Sequence, residues 1–397
     1  MRTVLTTGPG GAGRTTLAAA TALAAAAHGS RTLLVSADPV PGIPAGPEPT
    51  AVTDRLDHVR IDSGAHFRAE LTELQERASG VLDLLGAGRL DGEELTELPG
   101  APQLALLHTL HRAAAGDWST AGYDTLVVDL PPLTEALALL ALPEQLRRYL
   151  RRLLPAERQA ARALRPVLAQ LAGVPMPAQW LYEAAARKDE ELAAVQALVE
   201  DGSTTLRLVA EPGPAAEDAL RTARTGLALY GLRADLLVAN RVLPRHSSDP
   251  WFADLAARQE KCLGHWHEEW APHVPVHEAA HLGRDPRSTD DLAELGVPAP
   301  DEREPGRSQD PWRIEEEPGE EGRPSVLAWC LPLPGATKED LRLVRRGEEL
   351  LLTVGPFHRI LKVAPALRRC TVTGAALTDG VLRIRFTPDP ALWPRTS

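Results

Sequence analysis

Residues 8–17 read GPGGAGRTTL, with four residues between Gly8 and Gly13 and then a basic side chain and a hydroxyl. That spacing is a phosphate-binding loop, in which the small residues Gly8, Gly10, Gly11, Ala12 and Gly13 let backbone N–H groups close around phosphate oxygens. Thr15 is placed to ligate Mg2+, and Thr16 either reaches the α-phosphate or begins the following helix. The basic position holds Arg14, whose guanidinium needs a wider slot beside the β- and γ-phosphates than a lysine ammonium. Only Lys188, Lys261, Lys338 and Lys362 are lysines among 43 basic residues, so a general exchange of lysine for arginine is a bland origin for Arg14.

Two carboxylates follow apolar stretches, Asp38 in SADP and Asp129 in VVDLPP. Either alone fits a turn residue ending a strand. Behind a phosphate loop, both read as members of one Mg-phosphate site. His265, His267, His273, His277 and His281 crowd the stretch HWHEEWAPHVPVHEAAH, and HEAAH fits a zinc-protease pattern. That chemistry needs both histidines on one continuous helix and a further ligand, whereas Pro272 and Pro275 stand immediately before them, so zinc is not expected.

A loop of this kind must be fed by a strand and followed by a helix. RTVLTT (2–7), RTLLVSAD (31–38), DTLVVD (124–129), TTLRLVA (204–210) and ADLLVAN (234–240) are apolar runs without polar alternation, as parallel strands covered on both faces require. Helical patterns lie between them. The order predicts an α/β fold with a doubly wound, mostly parallel sheet whose ligand sits at the C-terminal ends of the strands. Residues 135–200 form a long helical block, and Arg147, Arg148, Arg151 and Arg152 within it read as a solvated face.

The 397-residue chain is 44% hydrophobic and carries a net charge of −11, enough apolar content for two or three domains. No stretch reaches the uninterrupted apolar length of a membrane span. Aromatics do not interleave with the arginine run in this acidic chain, so neither a nucleic-acid nor a membrane-surface role is expected. Cys262, Cys330 and Cys370 stand far apart, which points to a reducing, cytoplasmic setting without disulfides or a thiolate metal site.

Residues 301–322 hold nine acidic side chains against three arginines, net −6, and read as a flexible, solvated linker. Residues 323–397 hold twelve bases and six acids, net +6, leaving −11 on residues 1–300. The last segment also changes period: LRLVRRGEELLLTVG, FHRILKVA, RRCTVTGAAL and DGVLRIRF are short alternating strands of an antiparallel sandwich, with Phe357 and Leu361 facing inward. The charge balance allows weak, salt-sensitive docking on the first 300 residues, with an independently tethered module as the default.

GPGGAGRTT, SADP, DLPP, VANRVLP and VPVHEA, in that order, resemble the motifs of the ArsA family of arsenite-pump and tail-anchored-protein targeting ATPases over residues 1–300. The resemblance implies a cytoplasmic homodimer binding ATP and Mg2+, with Asn240 reading adenine, Asp38 positioning the attacking water and Asp129 near Mg2+. It also implies that the helical block near 135–200 handles a protein client. Residues 325–388, with Gly380-Val381-Leu382 and Ile384, resemble the α-crystallin domain of small heat-shock proteins, whose strands and edge grooves contact partners.

Departures from that pattern bear on turnover. The family's first loop lysine, which crosses the dimer to the partner's phosphates, is replaced by Pro9. Switch I runs Asp38-Pro39-Val40-Pro41-Gly42 in place of Asp-Pro-Ala-His, and the threonine, glycine and histidine after the switch II aspartate are missing. Together they predict an ATP hydrolase that binds nucleotide better than it turns it over. The alternative is a pseudo-ATPase scaffold, in which nucleotide fixes the dimer and the β-domain recruits partners. Clustered cysteines, which arsenite transport implies in the family, are absent.

Overall fold

Leucine and valine runs bounded by Gly, Pro and Asp pack best as strands with both faces covered. In the computed structural model, which describes residues 1–77, 79, 88, 90–119, 122–154, 179–301, 312–317 and 326–389, they form an eight-stranded sheet. Its strands are β1 (Arg2–Thr7), β2 (Thr32–Ser36), β3 (Thr50–Thr53), β4 (Leu56–Arg60), β5 (Thr125–Asp129), β6 (Thr204–Ala210), β7 (Ala234–Val242) and β8 (Val276–Ala280). Their order is β3-β4-β2-β5-β1-β6-β7-β8, parallel except where β3 pairs with β4. The edge strands β3 and β8, and β4 beside β3, are not foreseen from the sequence, because polar residues such as Thr50, His58 and Glu278 hide the apolar signal.

Alternation along each strand sorts the side chains onto two faces. Leu5, Leu33, Val35, Leu126, Val128 and Leu208 join one buried cluster, while Val4, Leu34, Val127, Val209 and Val238 join the other. Helices α1 (Arg14–Ala27), α2 (Ser63–Arg77), α3 (Ala101–Ala115), α4 (Leu133–Leu153), α5 (Gln179–Glu200), α6 (Pro214–Tyr230), α7 (Pro250–Glu269) and α8 (Thr289–Glu294) complete this layer structure. No helix among the described residues is long and apolar enough to cross a membrane. Strand β1 lies between β5 and β6, with Thr6 in register with Asp129, so the phosphate loop emerges beside the end of β5.

The helical block appears as α4 and α5, and residues 155–178, including Met176, lie outside the described residues. Its arginines are not a plain solvated face. Arg147 donates to Asp189 (3.1 Å) and Gln196 (2.8 Å), Arg151 pairs with Asp189, and Arg148 makes a two-pronged contact to Glu349.

The C-terminal chain is all antiparallel. Strands β9 (Arg313–Glu317), β10 (Val326–Pro332), β11 (Leu341–Arg346), β12 (Glu349–Val354), β13 (Phe357–Lys362), β14 (Cys370–Thr378) and β15 (Val381–Pro388) form sheets ordered β14-β15-β10-β9 and β11-β12-β13. Phe357 and Leu361 face inward, 2% and 3% exposed. Strand β9 corrects the reading of 301–322 as linker throughout, because residues 313–317 pair with β10. Glu315 and Glu317 there meet Arg383 and Arg385 of β15, at 3.6 Å and 2.9 Å. The acidic run is thus partly the strand complement of a basic sheet, which a charge count without its cross-strand partners cannot show.

This β-domain is seated on the α/β body. Phe357 packs beside Gly226 of α6, where an added Cβ would lie 2.7 Å from the phenyl ring and 2.8 Å from Leu137, and Tyr230 meets the Phe357 ring edge-on. Thr225 donates to the Pro334 carbonyl and Arg359 to that of Leu229, both at 2.6 Å. An aromatic anchor and the Arg148–Glu349 and Arg359–Glu144 ion pairs join the two parts, so an independently tethered module does not describe them.

Candidate functional site

The loop's shape follows from what surrounds each glycine. An added Cβ on Gly8 would fall 1.8 Å from the Val209 carbonyl oxygen, so only glycine fits beside β6. Gly11 and Gly13 have φ of 80° and 88°, the left-handed region that glycine enters without a Cβ penalty. Gly10 and Gly11 face open space, and Ala12 is buried. Gly13 caps α1 with no side chain bonded to the helix end, which leaves its first N–H groups for an anion.

Thr15 and Asp129 meet at once, with the threonine hydroxyl donating to Asp129 Oδ2 at 2.5 Å. The other carboxylate oxygen, Oδ1, is buried and has no hydrogen-bond partner. Burial raises the Asp129 pKa to about 6, opposed by the Thr15 hydrogen bond and the Arg14 charge and reinforced by the Asp38 charge. An orphaned carboxylate oxygen beside a hydroxyl is a donor set for a hard divalent cation, so these residues fit Mg2+. Asp38 lies past the end of β2 with an exposed side chain and belongs to the same electrostatic neighbourhood. Its loop is braced from behind: Ser36 Oγ is 2.7 Å from the Asp38 carbonyl and 2.9 Å from His58 Nε2, while His58 Nδ1 donates to the Pro44 carbonyl.

Arg14 donates to the carbonyl of Leu130, just after Asp129. Three further bonds hold the same segment to β1 and the loop: Leu130 N–H to Thr6, the Thr7 hydroxyl to Pro131, and Leu133 N–H to Gly8. Asn240 is buried and donates its amide to the Ala12 carbonyl at 2.8 Å, stacking the end of β7 on the loop. Gly13, Thr16 and Asn240 line a cleft of about 360 Å³, shared with His281, Pro286 and Arg241. Every residue singled out in the loop, both aspartates and Asn240 therefore converge on the C-terminal edge of the sheet.

Arg241 and the segment Leu130–Leu133 were not legible as site residues, since nothing in their spacing distinguishes them from loop. Of the clustered histidines, His281 lines this cleft, but the set does not form the helical zinc pattern. His277 lies on β8, not a helix, and His281 follows it with Nδ1 accepting from Gly283 N–H. Among the described residues no cluster of three or more His, Cys, Asp and Glu side chains forms a metal site.

Residues 1–295 match the model of the anion-transporting ATPase family, ArsA, and residues 325–386 that of an HSP20-like domain found in ArsA. The chain belongs to the ArsA ATPase family. An uncharacterised protein of Streptomyces coelicolor is 56% identical over the whole of both chains. A Mycobacterium tuberculosis protein is 29% identical over 99% of this chain and 97% of its own. The putative arsenical pump-driving ATPase 1 of Aquifex aeolicus is 23% identical over 93% of this chain and 95% of its own. This is thus an ArsA-like ATP-binding protein with a C-terminal α-crystallin-type domain.

Proposed function

We propose that this chain is a homodimeric Mg-ATP-binding protein that turns ATP over slowly and couples nucleotide state to a protein client or partner, through the helical block or the β-domain. The observation that carries the reading is the meeting of Thr15, the orphaned Asp129 oxygen and an uncapped helix end beneath a loop that only glycine can make at Gly8. Backbone N–H groups from Gly10 to Thr15 cradle the phosphates, Thr16 contacts the α-phosphate, and Asn240 faces the base end of the cleft. Thr15 and Asp129 hold Mg2+, which when bound neutralises charge on the phosphates. Asp38 accepts a hydrogen bond from the attacking water and orients it.

Slow turnover is the part of this reading that Arg14 and Pro9 support. Phosphoryl transfer depends on cations placed against the transferring group, and one such charge is worth about 10³- to 10⁵-fold in rate. Arg14 spends its guanidinium on the Leu130 carbonyl, and Pro9 carries no charge at all. The same observation favours a second reading, a scaffold in which bound nucleotide only stabilises the dimer.

Asp38→Asn separates the two. It keeps the shape and removes the acceptor charge, so ATP affinity should stay unchanged while single-turnover hydrolysis falls by about 10²-fold or more. Equal hydrolysis in wild type and variant would remove Asp38 from the chemistry. ATP binding with no Mg-dependent hydrolysis in the wild type would establish the scaffold.

A further inference from the structure

With Arg14 turned to Leu130 and Pro9 uncharged, the loop's own cations are committed elsewhere or missing. A second basic side chain reaches it from outside. Arg241 follows Asn240 at the end of β7, and its Nη1 donates to the Gly11 carbonyl and to Glu211, both at 3.2 Å. It lines the 360 Å³ cleft and also a neighbouring cleft of about 770 Å³, so its guanidinium stands on the rim between them.

The backbone there is shaped for that purpose. Arg241 has φ of 57°, one of two non-glycine residues with positive φ among those described, and a bulky side chain is costly in that region. It sits in an irregularity of the β7–β8 register between Ala239 and Val242, the kind of bulge that re-aims a side chain. Gln259, 8% exposed on α7, clamps the kink from both sides by donating to the Arg241 carbonyl at 3.1 Å and accepting from Leu243 N–H at 2.7 Å. Strained geometry of this sort persists only where neighbours over-determine it, and it collects at ligand sites. Ordinary strand continuation needs none of these devices.

We propose that Arg241 is a phosphate-binding residue of the nucleotide site, supplying in cis the positive charge that the loop does not present. This rests on the nucleotide-site reading above. In the structure, the Gly11 carbonyl and Glu211 hold the guanidinium at the loop's crest, and the phosphates of a nucleoside triphosphate are the stronger anionic partner for it. Strain at residue 241 then has a function, since glycine would satisfy the backbone but carry no charge.

The test is equilibrium titration of the full-length protein with Mg-ATP, alongside thermal unfolding. Arg241→Gly should weaken ATP binding about 10- to 100-fold, the size of one charge-assisted hydrogen bond, without lowering Tm. Arg241→Gln keeps a donor for the Gly11 carbonyl but not the charge and should lose a similar factor, while Arg241→Lys should stay within about 3-fold of wild type. Wild-type affinity in the Gly or Gln variant would overturn the assignment. A Gly variant that melts early leaves the Gln variant decisive. Absence of ATP binding in the wild type would instead overturn the nucleotide site itself, and this residue's role with it.

Discussion

Among single residues, Asp129 is the site carboxylate whose ionisation the fold opposes. Its pKa is raised from 3.8 to about 6, so the folded state binds its proton more tightly than the unfolded chain does. The sign follows: its favourable contribution is complete below the unfolded value and is lost as pH rises through about 6. Without metal, Asp129→Asn should therefore stabilise the protein at pH 7.5, by on the order of 1–3 kcal/mol, and the gain should vanish near pH 4. Thermal melts of both proteins across that range check it, and a destabilised variant at pH 7.5 would contradict the assigned burial cost. With Mg2+ the order should reverse, because the carboxylate is then the ligand and the amide is a poorer one. Mg2+ affinity of the wild type should accordingly weaken as pH falls below about 6.

The elements that set these residues are bound to one another more tightly than separate motifs suggest. Helix α4 leaves the Asp129 segment directly, and its far half carries Glu144 and Arg148, which pair with Arg359 and Glu349 of the β-domain. Helix α6 supplies the Gly226 notch for Phe357. Gly226→Ala gives a test by sign. In a free helix the change gains about 1 kcal/mol, but with Phe357 and Leu137 less than 3 Å from the new methyl, overpacking costs about 1–3 kcal/mol. The docked structure predicts a net loss of stability in the full chain, read by chemical denaturation. A stabilised variant would mean that the β-domain does not rest on α6.

Over the whole molecule, much was readable because the physics was local. The strands at 2–7, 125–129 and 204–210, the phosphate loop and the β-sandwich each follow from apolar runs, glycine spacing or strict alternation within a short window. Where evidence lay across the chain, reading stopped. Arg14 keeps its motif position, yet its direction depends on a carbonyl 116 residues away. Glu315 and Glu317 looked like solvated linker because the arginines that meet them lie on β15. Arg241 looked like loop because its strain and its contact to Gly11 exist only after β7 and the loop are brought together. The docking of the β-domain depends on Phe357 and Gly226, whose partnership no spacing rule encodes.

Whether these converging groups form a working Mg-nucleotide site is decided by isothermal titration of the full-length wild-type protein with ATP, with and without Mg2+, at pH 7.5. One saturable site per chain, bound more tightly with Mg2+, is the expected result. No saturable ATP binding in either condition would contradict it.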